Sequence, residues 1–157
     1  MSYAPYDRSM SLELRRCDAA KPPATELMDA VLAEFDVIAG RRLTGGILTP
    51  PSHFDPPHGA YLVGFSHGRP VCGGGVRTLR EGVAEVKRMY VLPAFRRRGF
   101  ALELLAGLED AARQIGHGLI RLDSTAATWP IYLGAGYREI PDYNGNPDAD
   151  FWGEKSL

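Results

Sequence analysis

Residues 83–108, VAEVKRMYVLPAFRRRGFALELLAGL, restrict what this chain can fold into more than any other stretch. Val83 to Leu92 is rich in β-branched and apolar residues and is closed by Pro93, which predicts a strand. A basic turn follows, Arg96-Arg97-Arg98-Gly99-Phe100-Ala101. Leu104, Leu105, Leu108, Ala112 and Ile115 then recur at intervals of three and four, which predicts a helix with one apolar face. A strand, a basic turn and a helix N-terminus in succession make an anion site. The first amides of a helix lack internal acceptors and carry partial positive charge. Gly99 lets the backbone approach a ligand with no side chain in the way. Three arginines add fork-shaped donors suited to phosphate oxygens. Taken alone, these six residues could equally be a basic turn that only caps a helix.

Composition narrows the classes. A chain of 157 residues with 45% hydrophobic and 24% charged residues suits one compact domain. We expect a loose leader over 1–10 and one domain over 11–157. A net charge of −1 argues against general binding to nucleic acid or to an anionic membrane, so the arginine cluster is a local feature. No apolar run approaches the ~20 residues that span a bilayer, and MSYAPYDRSM has no signal-peptide core. Cys17 and Cys72 are too few for a disulfide framework. A cytoplasmic location with free thiols is the expectation.

Along the chain, Leu12 to Arg16 reads as a first strand. Thr25 is an expected helix cap, Leu27, Val31, Phe35 and Ile38 form an apolar helical face, and Gly40 ends that helix. Residues 41–58 form a loop rich in proline and glycine, with room for one helical turn. His53 and His58 lack a ligand cluster at metal spacing and read as solvated. Phe54 is a lid or an anchor, the anchor being favoured. Ala60 to Phe65 and Val71 to Leu79 read as strands joined at His67-Gly68. Gly73-Gly74-Gly75 marks a bulge or a close approach of backbone, since no P-loop pattern follows. Leu119 to Leu122, Tyr137 to Ile140 and Asp150 to Ser156 complete the strands.

Glu85 stands out within the central strand. It shares a face with Val83 and Lys87, while Ala84 and Val86 point the other way. A carboxylate there needs a partner, because desolvating it is costly. A salt bridge to Lys87 or to a neighbouring strand meets that need; a general base is the other reading.

Arg96-x-x-Gly99-x-Ala101 resembles the Q/R-x-x-G-x-G/A motif of the GNAT family of N-acetyltransferases, which lies between the fourth strand and the third helix. The segment ATWPIYLGAGYREI, with Tyr132 four residues before Gly136-Tyr137, resembles that family's closing motif. The resemblance covers residue 11 to the end. It implies an α/β fold, the GNAT acyl-CoA N-acyltransferase fold, with a splayed mixed central sheet flanked by helices. It also implies that acetyl-coenzyme A, as cosubstrate, lays its diphosphate on the amides of Arg97, Arg98, Gly99, Phe100 and Ala101, beside Arg96. A bulge near the end of the central strand would free the backbone of Met89, Tyr90 and Val91 for the pantetheine arm. The strand around Glu85 is similar to the one that carries the glutamate base in histone acetyltransferases of this family. Tyr132 matches the family's general acid; a buried aromatic under the helix is the alternative. An asparagine common in this turn is absent, with Ala126, Ala127 and Thr128 in its region, and Ser124 is the expected substitute.

The implied chemistry is direct acetyl transfer to a primary amine of a small molecule or peptide, without metal and without an acyl-enzyme on cysteine. An amide of the splayed strand, that of Tyr90, would stabilise the oxygen where charge builds. The 142–150 loop, with Tyr143, Asn144 and Asp148, and Trp152 just after it would lie near the acceptor or form a plain surface hairpin. A homodimer is compatible with the resemblance. The alternative is a non-catalytic domain of the same fold that holds acetyl-coenzyme A as a sensor. A nucleic-acid partner is disfavoured by the balanced charge and the lack of interleaved aromatics.

Overall fold

A computed structural model describes residues 11–40 and 49–157. The expected leader over 1–10 and residues 41–48 of the long loop lie outside the described residues. The elements are β1 (Glu13–Cys17), α1 (Ala24–Ala39), a 3-10 turn (Pro51–Phe54), β2 (Gly59–Ser66), β3 (Arg69–Arg80) and β4 (Val83–Val91). A second 3-10 turn (Pro93–Phe95), α2 (Phe100–Ile115), β5 (Leu119–Ser124), α3 (Trp129–Gly134), β6 (Arg138–Ile140) and β7 (Phe151–Ser156) follow. That is the expected order of strands and helices. The strands form one seven-stranded sheet in the order β1-β2-β3-β4-β5-β7-β6. β4 and β5 pair in parallel, and α2 supplies the long crossover that parallel neighbours need. The other neighbours are antiparallel.

The alternation of β4 divides the molecule into two faces. Ala84 and Val86 face α2, in a core with Val76, Leu104, Leu105, Leu108 and Ile120. Each large apolar side chain buried there contributes about 1.5–3 kcal/mol. α2 lies so close that a Cβ on Gly107 would press on Leu14 and Leu62. On the other face Ala24, Leu27 and Met28 of α1 pack with Phe54, Tyr61 and Val63. Phe54 is thus an anchor, 2% exposed and edge-on to Tyr61 at 5.9 Å.

Two expectations for α1 fail. The helix starts at Ala24 behind Pro23, whose position offers no side-chain cap, so Thr25 lies inside the first turn and caps nothing. Proline presets the backbone for a helix start and needs no hydroxyl. Ile38 is 71% exposed, so the buried face ends before it. Gly40 does end the helix, at φ 65°.

The His67-Gly68 turn takes positive φ at both residues, 49° and 74°, as a tight hairpin requires. The glycine run in β3 is a close approach: Cβ atoms at Gly73 and Gly75 would run into Tyr61 and Phe54. Opposite this run β4 bulges. Gly73 pairs with Tyr90 but Gly75 pairs with Lys87, leaving one extra residue on β4, and Arg88 sits at φ 61°. β4 and β5 are joined only at Val83–Leu119, Ala84–Ile120 and Glu85–Arg121. Beyond Glu85 the two strands part, leaving a wedge-shaped gap in the middle of the sheet.

Candidate functional site

The gap opens toward the N-terminus of α2. Gly99, at φ 81°, begins that helix, and the first helical bond runs from the Glu103 N–H to the Gly99 carbonyl at 3.2 Å. The amides of Phe100, Ala101 and Leu102 before it therefore have no acceptor within the helix. Nothing lies within 4 Å of where a Cβ on Gly99 would be, so the approach to these amides is open. Arg97 is exposed at φ 62°, a left-handed turn of backbone beside Gly99. These residues fit a diphosphate through backbone amides and flanking positive charge.

The side chains of the motif divide. Arg96 is committed to the protein: its Nε donates to the Val91 carbonyl at 2.9 Å and its Nη2 to Glu34 at 2.7 Å. The hydrogen bond from Arg96 holds the Glu34 carboxyl below its ordinary range. Arg98 reaches the Ala94 carbonyl at 3.4 Å and lies over the Phe95 ring. Phe100 is buried in the core, so only its backbone faces outward.

Met89, Tyr90 and Val91 line the gap, with one correction. The Leu92 N–H donates to the Val71 carbonyl at 2.9 Å. Antiparallel alternation then makes Tyr90–Gly73 the next hydrogen-bonded pair and turns the Tyr90 amide toward β3. The amides turned into the gap are those of Val91 and, by the same alternation, Met89. Tyr90 was the expected donor because alternation around an unseen bulge cannot be counted from sequence.

Tyr132 reaches the gap from the α2 face. α3 is short, with Pro130 in its first turn. The Tyr132 hydroxyl donates to Met89 Sδ at 3.7 Å, and its ring meets Tyr137 edge-on at 5.9 Å. Burial, with the nearby charge of Asp123, pushes the phenol up to about 12. Ser124 ends β5 beside this turn, but its hydroxyl donates to the Thr125 carbonyl at 2.9 Å and bonds Thr128 Oγ1 at 2.8 Å. It serves the β5–α3 turn.

Glu85 lies at the root of the gap, on the opposite face, and is 0% exposed. It is paired, with Arg77 of the neighbouring strand and with Lys87 close by, as the first of its two readings expected. Oε1 accepts Arg77 Nε at 2.9 Å and Nη2 at 2.8 Å. Oε2 accepts the Tyr143 hydroxyl at 2.6 Å and Asn144 Nδ2 at 3.4 Å, with Lys87 Nζ at 3.9 Å. Burial, then the adjacent Glu85 charge, drives the Tyr143 phenol far above its ordinary value. Lys87 bonds Asp123 at 2.8 Å, and Asp123 also accepts Asn144 Nδ2 at 2.6 Å and Asn146 Nδ2 at 3.2 Å. The Trp152 indole N–H donates to Asn144 Oδ1 at 2.8 Å. The 142–150 loop is therefore folded onto the site.

Arg77 and Asp123 were missed by sequence reasoning. Both are ordinary strand residues, and only their register with Glu85 and Lys87 gives them a place. Arg77 also meets His53 Nδ1 at 2.7 Å, beside an open pocket of about 340 Å³ lined by Ser52, Asp55, His58 and Thr78. Among the described residues no group of three or more His, Cys, Asp or Glu is placed to hold a metal ion. Cys72 is buried and its thiol is pushed up to about 12, chiefly by that burial, so it is not a nucleophile near neutral pH. No described helix is long and apolar enough to cross a membrane.

A family model described as Acetyltransferase (GNAT) family matches residues 25–137. A search of curated proteins finds no match. Among solved structures, a Klebsiella pneumoniae protein assigned as an acyl-CoA N-acyltransferase is 25% identical, with a TM-score of 0.72 over 93% of this chain and 97% of that one. A GNAT-family acetyltransferase from Staphylococcus aureus is 13% identical, with a TM-score of 0.75 over 94% of this chain and 99% of that one. N-acetylglutamate synthase from Neisseria gonorrhoeae, solved with coenzyme A and N-acetyl-glutamate, is 17% identical, with a TM-score of 0.71 over 94% of this chain and 35% of that one.

Proposed function

The chain belongs to the acetyltransferase (GNAT) family, and from that premise we propose that it moves an acetyl group from acetyl-coenzyme A directly to a primary amine. The observation that carries this reading is the gap between β4 and β5, which has free helix-start amides at one end and a buried carboxylate, Glu85, at its root. Acetyl-coenzyme A supplies an acyl carbon activated as a thioester. The chain's own residues do the rest. The amides from Arg97 to Ala101 hold the diphosphate, and the unpaired β4 backbone holds the arm that leads to the thioester. An alkyl amine has a pKa near ~10, so about one molecule in a thousand is a nucleophile at pH 7. Glu85 is the group that receives its proton. The amides of Met89 and Val91 face the position where negative charge grows on the thioester oxygen; losing one such donor costs on the order of 3 kcal/mol. A phenol raised to about 12 is a poor acid toward a thiolate whose conjugate acid has a pKa of ~8.5. Tyr132 therefore steadies the departing sulfur mainly by hydrogen bonding.

Thiol release from acetyl-coenzyme A with a panel of primary amines is the test. Release that depends on an amine is expected. Release with none of them, together with tight binding of acetyl-coenzyme A, would make the domain a sensor instead. Glu85→Gln keeps the shape of the side chain. It should lower kcat by about 100-fold or more while leaving acetyl-coenzyme A affinity unchanged. A wild-type rate in that variant would remove Glu85 from the role of base.

A further inference from the structure

A base that receives a proton needs a path to it, and Glu85 has none of its own. Its side chain is 0% exposed, Oε1 is filled by the Arg77 fork, and Oε2 by the Tyr143 hydroxyl at 2.6 Å. An amine can meet this carboxylate only if Tyr143 leaves or if the proton passes through Tyr143. Departure would disrupt much of the loop. Asn144, next to Tyr143, bonds Asp123 at 2.6 Å and accepts from Trp152 at 2.8 Å. Asp142, on its other side, accepts the amides of Asn144 at 3.0 Å and Gly145 at 2.7 Å. The Tyr143 ring itself lies 5.3 Å beneath the Arg121 guanidinium. Unlike Glu85, Tyr143 is only half-buried. Of the groups on Oε2 it is the hydroxyl, able to accept one proton while giving another.

We propose that Tyr143 is the proton carrier between the acceptor amine and Glu85, an inference that rests on the reading of Glu85 as the base. As nitrogen bonds to the acyl carbon, its N–H bond breaks and the electron pair stays on nitrogen. That proton goes to Tyr143 Oη while the proton already on Oη passes to Glu85 Oε2. Tyr143 ends neutral, Glu85 ends as the carboxylic acid, and the C–S bond breaks with its pair left on sulfur. Arg77 keeps Oε1 occupied throughout and so directs the proton to Oε2.

Tyr143→Phe removes one oxygen and keeps the ring under Arg121. Amine-dependent thiol release should fall by about 100-fold in kcat, with the KM for acetyl-coenzyme A unchanged and the thermal midpoint lowered only modestly, by the loss of one hydrogen bond to Glu85 Oε2. The rate plotted against the deuterium fraction of the solvent should curve in wild type, where two protons move together, and lose that curvature in Tyr143→Phe. A purely structural hydroxyl would not alter that curve. If Tyr143→Phe keeps the wild-type kcat, or gains kcat/KM because a competitor for Glu85 has gone, the relay is wrong. Glu85→Gln separates the two readings: slow Glu85→Gln with unimpaired Tyr143→Phe overturns the relay alone, whereas unimpaired Glu85→Gln overturns the base and the relay together.

Discussion

At Gly75 the missing side chain is what matters. A Cβ there would overlap the Phe54 ring, and Phe54 has no room to turn because Tyr61 lies edge-on to it. Gly75→Ala should destabilise the fold by about 1–3 kcal/mol, as overpacking does. A lower denaturant midpoint at unchanged slope would show it; an unmoved midpoint would mean the ring yields freely. Close packing at this glycine run was legible in the sequence, because three successive glycines weaken a strand unless a bulge or a tight contact needs them. Glu85 was legible for a similar reason, a charge on a strand that must be covered. Its partners were not. Arg77 lies eight residues earlier on another strand, and Tyr143 comes from a loop far along the chain. Only the folded register brings either one to a given carboxylate oxygen. Ser124 shows the converse: its position was foreseen, but its hydroxyl is already used by the turn it sits in.

Among the elements, α2 and the strand before it were the most readable. Apolar spacing fixed the helix face, and the basic turn before it placed its start to within a residue or two. The bulge in β4 was invisible, because it turns on Arg88 at φ 61°, a residue type that gives no warning of a left-handed backbone. It was expected from resemblance, and the register of β3 with β4 contains it. Missing its phase is what misdirected the choice of Tyr90. The helix start can be tested directly. Gly99→Asp places a charged side chain where φ is 81° and where an anion should rest. Acetyl-coenzyme A affinity should fall by tenfold or more, on the order of 1.4 kcal/mol, in calorimetry. Undiminished affinity would mean that the diphosphate lies elsewhere.

The whole molecule is two antiparallel blocks, β1–β4 and β5–β7, joined along three residue pairs of β4 and β5. Asp123 ties the blocks together, bonding Lys87 of the first and Asn144 and Asn146 of the second. Burial pushes its pKa up, but the Lys87 charge and the three hydrogen bonds outweigh this and hold the carboxyl below its ordinary 3.8. The folded state thus favours the ionised form. The stabilisation is present above pH 3.8 and is lost as pH falls through the lower folded value. Asp123→Asn should lower the thermal midpoint near pH 7 by leaving Lys87 less well paired, an effect of up to about 3 kcal/mol. Its midpoint should also fall less steeply than that of wild type below pH ~4. Parallel acid limbs in the two proteins would assign the sensitivity to other carboxyls. The count and order of strands and helices could be read in advance because periodicity is local. The narrow junction could not, since it depends on how far two distant strands stay in register. That junction has a consequence for what the protein is without its guest. The Met89 and Val91 amides that the unzipped part of β4 turns into the gap have no strand to bond, and their hydrogens should exchange quickly. A visitor with amide links spaced along its length would complete the ladder as a strand that is not peptide, and the protein would be stiffest when holding something it did not make.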